Sequence, residues 1–138
     1  DGRAIAAAFA LGATGVQIGT AYLFTPQALI TDIHRDALHQ AKDDQTVLTN
    51  VFSGKPARGL INRVIQEVGP ISDKTPPFPT AGAALAPLKA RAEAAGSGDF
   101  TSLWSGQAAA LARDLDAGEL TRTLASDAQK RLKSLAGK

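Results

Sequence analysis

The segment between Gly12 and Gly19 restricts the fold more than any other. The run GVQIG sets β-branched Val16 and Ile18 on either side of Gln17 and bounds them with glycine, which reads as a short buried strand. Ahead of it, DGRAIAAAFALG reads as a helix, with Asp1 as N-cap, Ile5 and Phe9 four residues apart, and Gly12 as a left-handed stop. Behind it, Thr25-Pro26 is the signature of a second helix start, and no hairpin chemistry lies between. A strand that follows a helix through a tight turn and is not turned back belongs to parallel α/β architecture.

Downstream the pattern becomes mainly helical. From Thr25-Pro26, the residues Leu29, Ile30, Ile33, Ala37, Leu38 and Ala41 form one apolar stripe, with His34 and His39 in or beside it. TVLTNVF is an extended segment rich in β-branched residues and ends in SGKPARG. LINRVIQEVG then reads as a helix stopped by Gly69-Pro70. The proline-rich PISDKTPPFPT is expected to be an extended tether. TAGAALAPLKARAEAAG follows as a helix with Pro87 in a first turn, and SLWSGQAAALARDL as a short helix or two. DAGELTRTLASDAQKRLKSLA is amphipathic through Leu120, Leu124, Ala128, Leu132 and Leu135, and Asp116 with Glu119 makes the Asp form of a capping box.

Composition narrows the function classes. The 138 residues are 44% hydrophobic and 20% charged, enough for a cored domain. There is no cysteine and there are only two histidines, which argues against metal chemistry. A net charge of +2 and seven aromatic residues argue against a nucleic-acid binder, although Lys130, Arg131, Lys133 and Lys138 gather near the end. No apolar run reaches the length of a membrane span and no signal peptide is evident, so the default location is the cytoplasm. Because the chain contains no methionine, it is expected to be a piece of a longer protein.

The end of the GVQIG strand suggests a chemistry. Gly19 has no Cβ to block approach to backbone N–H groups, and Thr20 adds a hydroxyl, so this end suits a phosphate. In β/α barrels the loops after the last two strands often make such a site. A plain turn is the alternative on these residues alone.

Three blocks carry a resemblance. DGRAIAAAFALGATGVQIGTAYLFTP, then VFSGKPARGLINR, then SLWSGQ resemble, in this order, the C-terminal part of the nitronate monooxygenases, formerly 2-nitropropane dioxygenases, over residues 1 to about 107. The resemblance implies an FMN-dependent enzyme and an α/β fold, the C-terminal portion of a TIM (β/α)8 barrel with a mainly helical extension. It implies that residues 1–24 are the last helix and strand of the flavin-binding barrel with its phosphate loop, and that residues 25–138 complete the substrate side. By this matching Gln17, Ile18, Gly19 and Thr20 bind the cofactor, with Gly19 and Thr20 on its phosphate.

The activity implied is oxidation of an alkyl nitronate with O₂ to a carbonyl compound and nitrite. The family's catalytic histidine is expected upstream of this chain, so that no residue here is catalytic, neither His34 nor His39 substitutes for it, and the partners are a small nitronate, O₂ and the remainder of the chain's own barrel. A homo-oligomeric assembly is left open. Lys55 and Arg58 stand between an anion contact and a strand-to-helix connection, with the connection favoured, and Trp104 stands between active site and core. Two other readings are a sister FMN barrel, such as an enoyl-acyl-carrier-protein or NAD(P)H:quinone reductase, and a non-catalytic helical interaction module.

Overall fold

Helix α1 (Gly2–Ala10) forms where its caps predict, and both ends show why. The Asp1 carboxylate accepts from the Ala4 N–H at 3.0 Å, which satisfies one of the orphan donors of the first turn. At the other end Gly12 has φ +93°, and the Gly12 and Ala13 amides return to the carbonyls of Phe9 and Ala8, both at 3.0 Å. This is a Schellman turn, and it needs a residue without a Cβ penalty at Gly12. The computed structural model describes residues 1–137, and the chain forms two compact units, Asp1–Leu29 with the chain from Leu111 onward, and Ile30–Ala110.

In the first unit α1 is followed by the short α2 (Thr20–Leu23) and by the long α6 (Ala117–Ala136), numbered in chain order. Asp116 caps α6 by accepting from Gly118 N–H at 2.8 Å and Glu119 N–H at 3.3 Å. Gln27 completes the cap: its amide nitrogen donates to the Asp116 carboxylate, and its carbonyl oxygen accepts from Ala117 N–H at 3.2 Å. The Gln27 amide, followed by the Glu119 and Gly118 N–H groups, holds the Asp116 carboxyl below the usual range. The predicted stripe on α6 is buried at Leu120, Leu124 and Ala128, which pack with Ile5 of α1. It fades at Leu135, which is 65% exposed.

Thr25-Pro26 does not start a helix. The Thr25 hydroxyl donates backward to the Tyr22 carbonyl at 2.8 Å instead of capping forward, and Ala28 N–H bonds to the Thr25 carbonyl at 3.1 Å. The pair therefore forms a β-turn with Pro26 in its second position, a place that suits a fixed φ as well as a helix start does. Val16 to Ile18 form no strand, and the parallel barrel arrangement is not seen: Val16 and Gln17 are exposed, and Ile18 is half-buried. A strand is made by its ladder partners, and among the described residues none pairs with this run.

The second unit begins with α3 (Asp32–Gln40), whose N-cap Thr31 accepts from His34 N–H at 3.3 Å. The helix starts later than the apolar stripe suggests, and Leu29 is fully exposed before it. A 3-10 turn at Asp43–Gln45 leads into β1 (Thr46–Thr49), which pairs antiparallel with β2 (Ala57–Leu60), Thr46 facing Leu60 and Thr49 facing Ala57. Leu60, expected in a helix, thus closes a strand, and α4 (Arg63–Val68) begins after Asn62. The segment around Trp104 lies along β2: Leu60 N–H bonds to the Leu103 carbonyl at 2.8 Å and Ser105 N–H to the Arg58 carbonyl at 3.2 Å. Gly59 permits this, since a Cβ there would come within 3.0 Å of the Leu103 oxygen.

Residues 70–80 are fastened down and do not swing as a loose tether. Asn50 donates from its side chain to the Ser72 carbonyl at 2.9 Å, accepts from Ser72 N–H at 3.0 Å, and donates its own N–H to the Pro70 carbonyl at 3.1 Å. Helix α5 (Ala81–Ala94) runs through Pro87 where a first turn was expected. Ala83 and Pro87 are both exposed, so water can satisfy the carbonyl that the missing N–H leaves unpaired. The stretch after Trp104 holds one 3-10 turn, Ala109–Leu111, in place of the short helices expected. The core gathers Val51, Phe52, Val64 and Ile65, with Phe52 and Trp104 edge to face at 5.6 Å and 86°.

Two predictions follow from this packing. At Gly2 a Cβ would lie 2.5 Å from Asp127 Cβ and 2.7 Å from Ala128 N, so Gly2→Ala must push α6 away. Overpacking costs about 1–3 kcal/mol and the better helix former returns about 1, so a net loss of about 1–2 kcal/mol is expected in denaturant unfolding. A gain in stability, as for a solvent-facing helical glycine, would refute the close approach.

His34 is 8% exposed, and its Nε2 lies 3.0 Å from the Trp104 carbonyl, so Nε2 carries the proton and donates. Burial lowers its pKa below the ordinary 6.5, and the Trp104 bond offsets this in part. Above that value native and unfolded chains both hold it neutral. As pH falls below it the unfolded chain takes up a proton that the native one resists, and stability is lost. Between about pH 7.5 and pH 5.5 the unfolding midpoint of His34→Gln should fall less than that of the parent. Parallel profiles would show that His34 is not the group responsible.

Candidate functional site

The Schellman turn at Gly12 delivers the chain into the segment that contains Gln17, Ile18, Gly19 and Thr20. Ile18 packs against the cluster of Ile5, Leu120, Leu124 and Ala128 and so ties the segment to α1 and α6. Beyond it α2 is held by Tyr22, which packs on the same cluster and whose hydroxyl lies 2.7 Å from Thr121 Oγ1. Thr121 spends its own proton on the Ala117 carbonyl at 2.7 Å, so Tyr22 is the donor in that pair. Ile18 and Tyr22 thus fasten the two sides of a short bridge, with Gly19 and Thr20 between them.

Gly19 occupies the N-cap position of α2 with φ −102°, and its carbonyl accepts from Tyr22 N–H at 3.0 Å. Its φ is one that any residue adopts, and a Cβ there would meet nothing within 4 Å. Neither the backbone nor the chain's own packing requires glycine here, and the face above it is open. Gln17 is exposed and Thr20 half-buried, while Ile18 packs against the cluster of Ile5, Leu120, Leu124 and Ala128. Phe24 and Thr25 are buried just beyond.

Lys55, Arg58, Trp104, His34 and His39 lie in the second unit. The Lys55 ammonium stands 4.6 Å over the ring centre of Phe78, and neighbouring Gly54, with φ +86°, lets the loop approach the backbone of residues 76–78. Arg58 donates to the Thr46 carbonyl at 3.2 Å and to the Thr46 hydroxyl at 3.1 Å, bracing the hairpin from within. Trp104 is half-buried, packs against the cluster of Val51, Phe52, Val64 and Ile65, and pairs with Gly59. His34 is buried, and His39 is exposed at the last turn of α3.

Two residues that sequence reasoning passed over position much of the rest. Gln27 closes the cap of α6. Asn62, 9% exposed, donates through one amide nitrogen to the carbonyls of Gly98 and Thr101 at 2.8 and 2.9 Å, while its Oδ1 has no partner. The two carbonyls fix the amide's orientation, because a flip would set oxygen against oxygen. The readable signal was an Asn directly ahead of the α4 turn. Among the described residues no helix is long and apolar enough to cross a membrane.

Comparison with known proteins identifies the family. The nitronate monooxygenase family model matches residues 1–127. A nitronate monooxygenase of Pseudomonas aeruginosa is 42% identical over 128 residues, which are 92% of this chain and 36% of that protein. A probable nitronate monooxygenase of Staphylococcus saprophyticus is 35% identical over 130 residues, 94% of this chain and 37% of that protein. The chain therefore spans a little over a third of the length of these curated relatives. Among solved structures, a nitroalkane oxidase from Streptomyces ansochromogenes superposes with a TM-score of 0.83 at 34% identity, covering 97% of this chain and 38% of that one. FabK from Thermotoga maritima superposes at 0.72 and 26% identity, covering 99% and 44%. By the extent of the family match and the identity to these relatives, this chain belongs to the nitronate monooxygenase family.

Proposed function

We propose that the protein to which this chain belongs oxidises alkyl nitronates with FMN and O₂ to a carbonyl compound and nitrite, and that this chain's part is to hold the flavin phosphate. The single observation that carries the second statement is Gly19: an open, unstrained glycine between two anchored flanks, for which the chain's own packing has no use. A phosphate oxygen can reach backbone there that a side chain would cover. Gln17 and Thr20, close in sequence on either side of Gly19, carry an amide and a hydroxyl, both suited to polar parts of such a cofactor.

FMN supplies the redox chemistry when bound. The chain's own contribution is binding and aim. Ile18 and Tyr22 keep the bridge from moving when a charged group docks, so that little ordering remains to be done on binding. His34 is not suited to proton transfer at this face, since it is buried with Nε2 committed to a backbone carbonyl. Location in the cytoplasm and assembly with the remainder of a barrel belong to the same proposal.

The test is flavin content of the full-length protein by absorbance, paired with thermal unfolding. Gly19→Val should remove flavin and leave the unfolding transition largely in place, because nothing of the chain's own lies near the new side chain. Thr20→Ala should weaken binding by roughly tenfold to a hundredfold, as expected for one donor to a charged group worth about 1.5–3 kcal/mol. Full flavin occupancy in Gly19→Val would place the phosphate elsewhere. In the flavin-replete parent, nitrite release from an alkyl nitronate is expected, whereas rapid bleaching by a reduced nicotinamide without nitrite release would favour a reductase.

A further inference from the structure

Helix α2 is too short to hold itself in place. Its four residues close a single turn, and so short a helix is unfavourable in water by itself, so its position comes from what its side chains and flanks touch. Two of its fastenings end on α6, within the first unit. The Tyr22 hydroxyl reaches Thr121 Oγ1 at 2.7 Å. After α2, Phe24 and Thr25 are buried, and the turn closed by Ala28 N–H on the Thr25 carbonyl carries Gln27 to the start of α6. There the Gln27 amide nitrogen donates to Asp116 Oδ2, and its oxygen accepts from Ala117 N–H at 3.2 Å. Ala117 and Thr121 are one turn apart, so both fastenings land on the first two turns of the same helix.

The Gln27–Asp116 pair is specific in its donors and acceptors. Asp116 Oδ1 is taken by the Gly118 and Glu119 N–H groups at 2.8 and 3.3 Å, and Oδ2 takes the Gln27 amide. A primary amide presents one donor and one acceptor side by side, and the capped start of α6 presents the complement. A glutamate at position 27 would set carboxylate against carboxylate. The Gln27 side chain is committed to this cap, so it acts on Gly19 and Thr20 through α2. Resting on the reading of Gly19 and Thr20 as the flavin-phosphate contact, we propose that Gln27, through Asp116, is a positioning residue for that contact and contributes to a preference for FMN over riboflavin. A segment that is already fastened loses little freedom when a phosphate docks on it, whereas a loosened one gives up part of the binding energy to be ordered. Riboflavin brings no phosphate to the segment and should be indifferent to the clamp.

The test is the ratio of riboflavin to FMN dissociation constants in flavin-depleted full-length protein, read by quenching of flavin fluorescence, with the unfolding midpoint as a check on the fold. Gln27→Glu should weaken FMN about three- to tenfold and leave riboflavin unchanged. Gln27→Glu/Asp116→Asn should restore the parent ratio. Asparagine still caps α6 through its oxygen, its nitrogen donates to the new carboxylate, and the second oxygen of that carboxylate takes Ala117 N–H. A general loss of stability would weaken both flavins alike, and that result would overturn the proposal. So would a parent-like ratio in Gln27→Glu, or a double variant no better than the single one. Gly19→Val separates the two readings. If it keeps the parent's preference for FMN, the phosphate contact lies elsewhere and the role of Gln27 falls with it; if it loses the preference while Gln27→Glu does not, the role of Gln27 alone fails.

Discussion

The close approach of α1 to α6 at Gly2 positions everything the candidate site uses. Without a side chain at that point the helix axes can come together until Ile5 reaches Leu120, Leu124 and Ala128. That small cluster is what Ile18 and Tyr22 bind to, and these two in turn hold Gly19 and Thr20. The chain of dependence runs from one missing methyl group to the placement of a loop. It makes Gly2 a packing condition for where the Gly19-Thr20 segment lies.

The second unit rests on backbone bonds gathered by a few polar side chains. A two-stranded hairpin alone is marginal in water. Here it is extended by the Leu103–Ser105 segment, which Gly59 admits at contact distance, and that segment is joined to α3 through His34 and the Trp104 carbonyl. Asn62 ties residues 98 and 101 to the start of α4, and Asn50 ties residues 70 and 72 to the end of β1. Each of these amides serves two separate stretches of chain. Truncating Asn62 would leave the buried Thr101 carbonyl without this donor, a loss larger than the bond itself is worth.

How far the sequence could be read follows from whether a signal was local. The caps of α1 and α6 and the Gly12 stop were legible because their partners lie within a few residues. The stripe of α6 was legible because its period is long enough to identify a face. Thr25-Pro26 misled because the same dipeptide fits a helix start and a β-turn, and the choice is made by the Tyr22 carbonyl, which only the fold supplies. Leu60 was drawn into a helix by the apolar spacing of residues 60–68, whereas its amide is claimed by Leu103 forty-odd residues on. The family blocks placed Gln17 to Thr20 and could not show that Ile18 faces the core while its neighbours do not.

The glycines make the last distinction. Gly12 and Gly54 are required by positive φ, Gly54 and Gly2 by neighbouring atoms at less than 3.0 Å, and Gly59 by a carbonyl at 3.0 Å. For these the demand arises inside the chain, and a substitution is felt as lost stability. Gly15 and Gly19 meet neither demand: a Cβ at either would stand in open space with ordinary backbone angles. A glycine that its own chain does not need still carries the entropic cost of a flexible unfolded backbone, which sets Gly15 and Gly19 apart from Gly2, Gly12 and Gly54. At Gly19 the open space is what the proposed phosphate contact relies on, since a Cβ there would meet nothing within 4 Å.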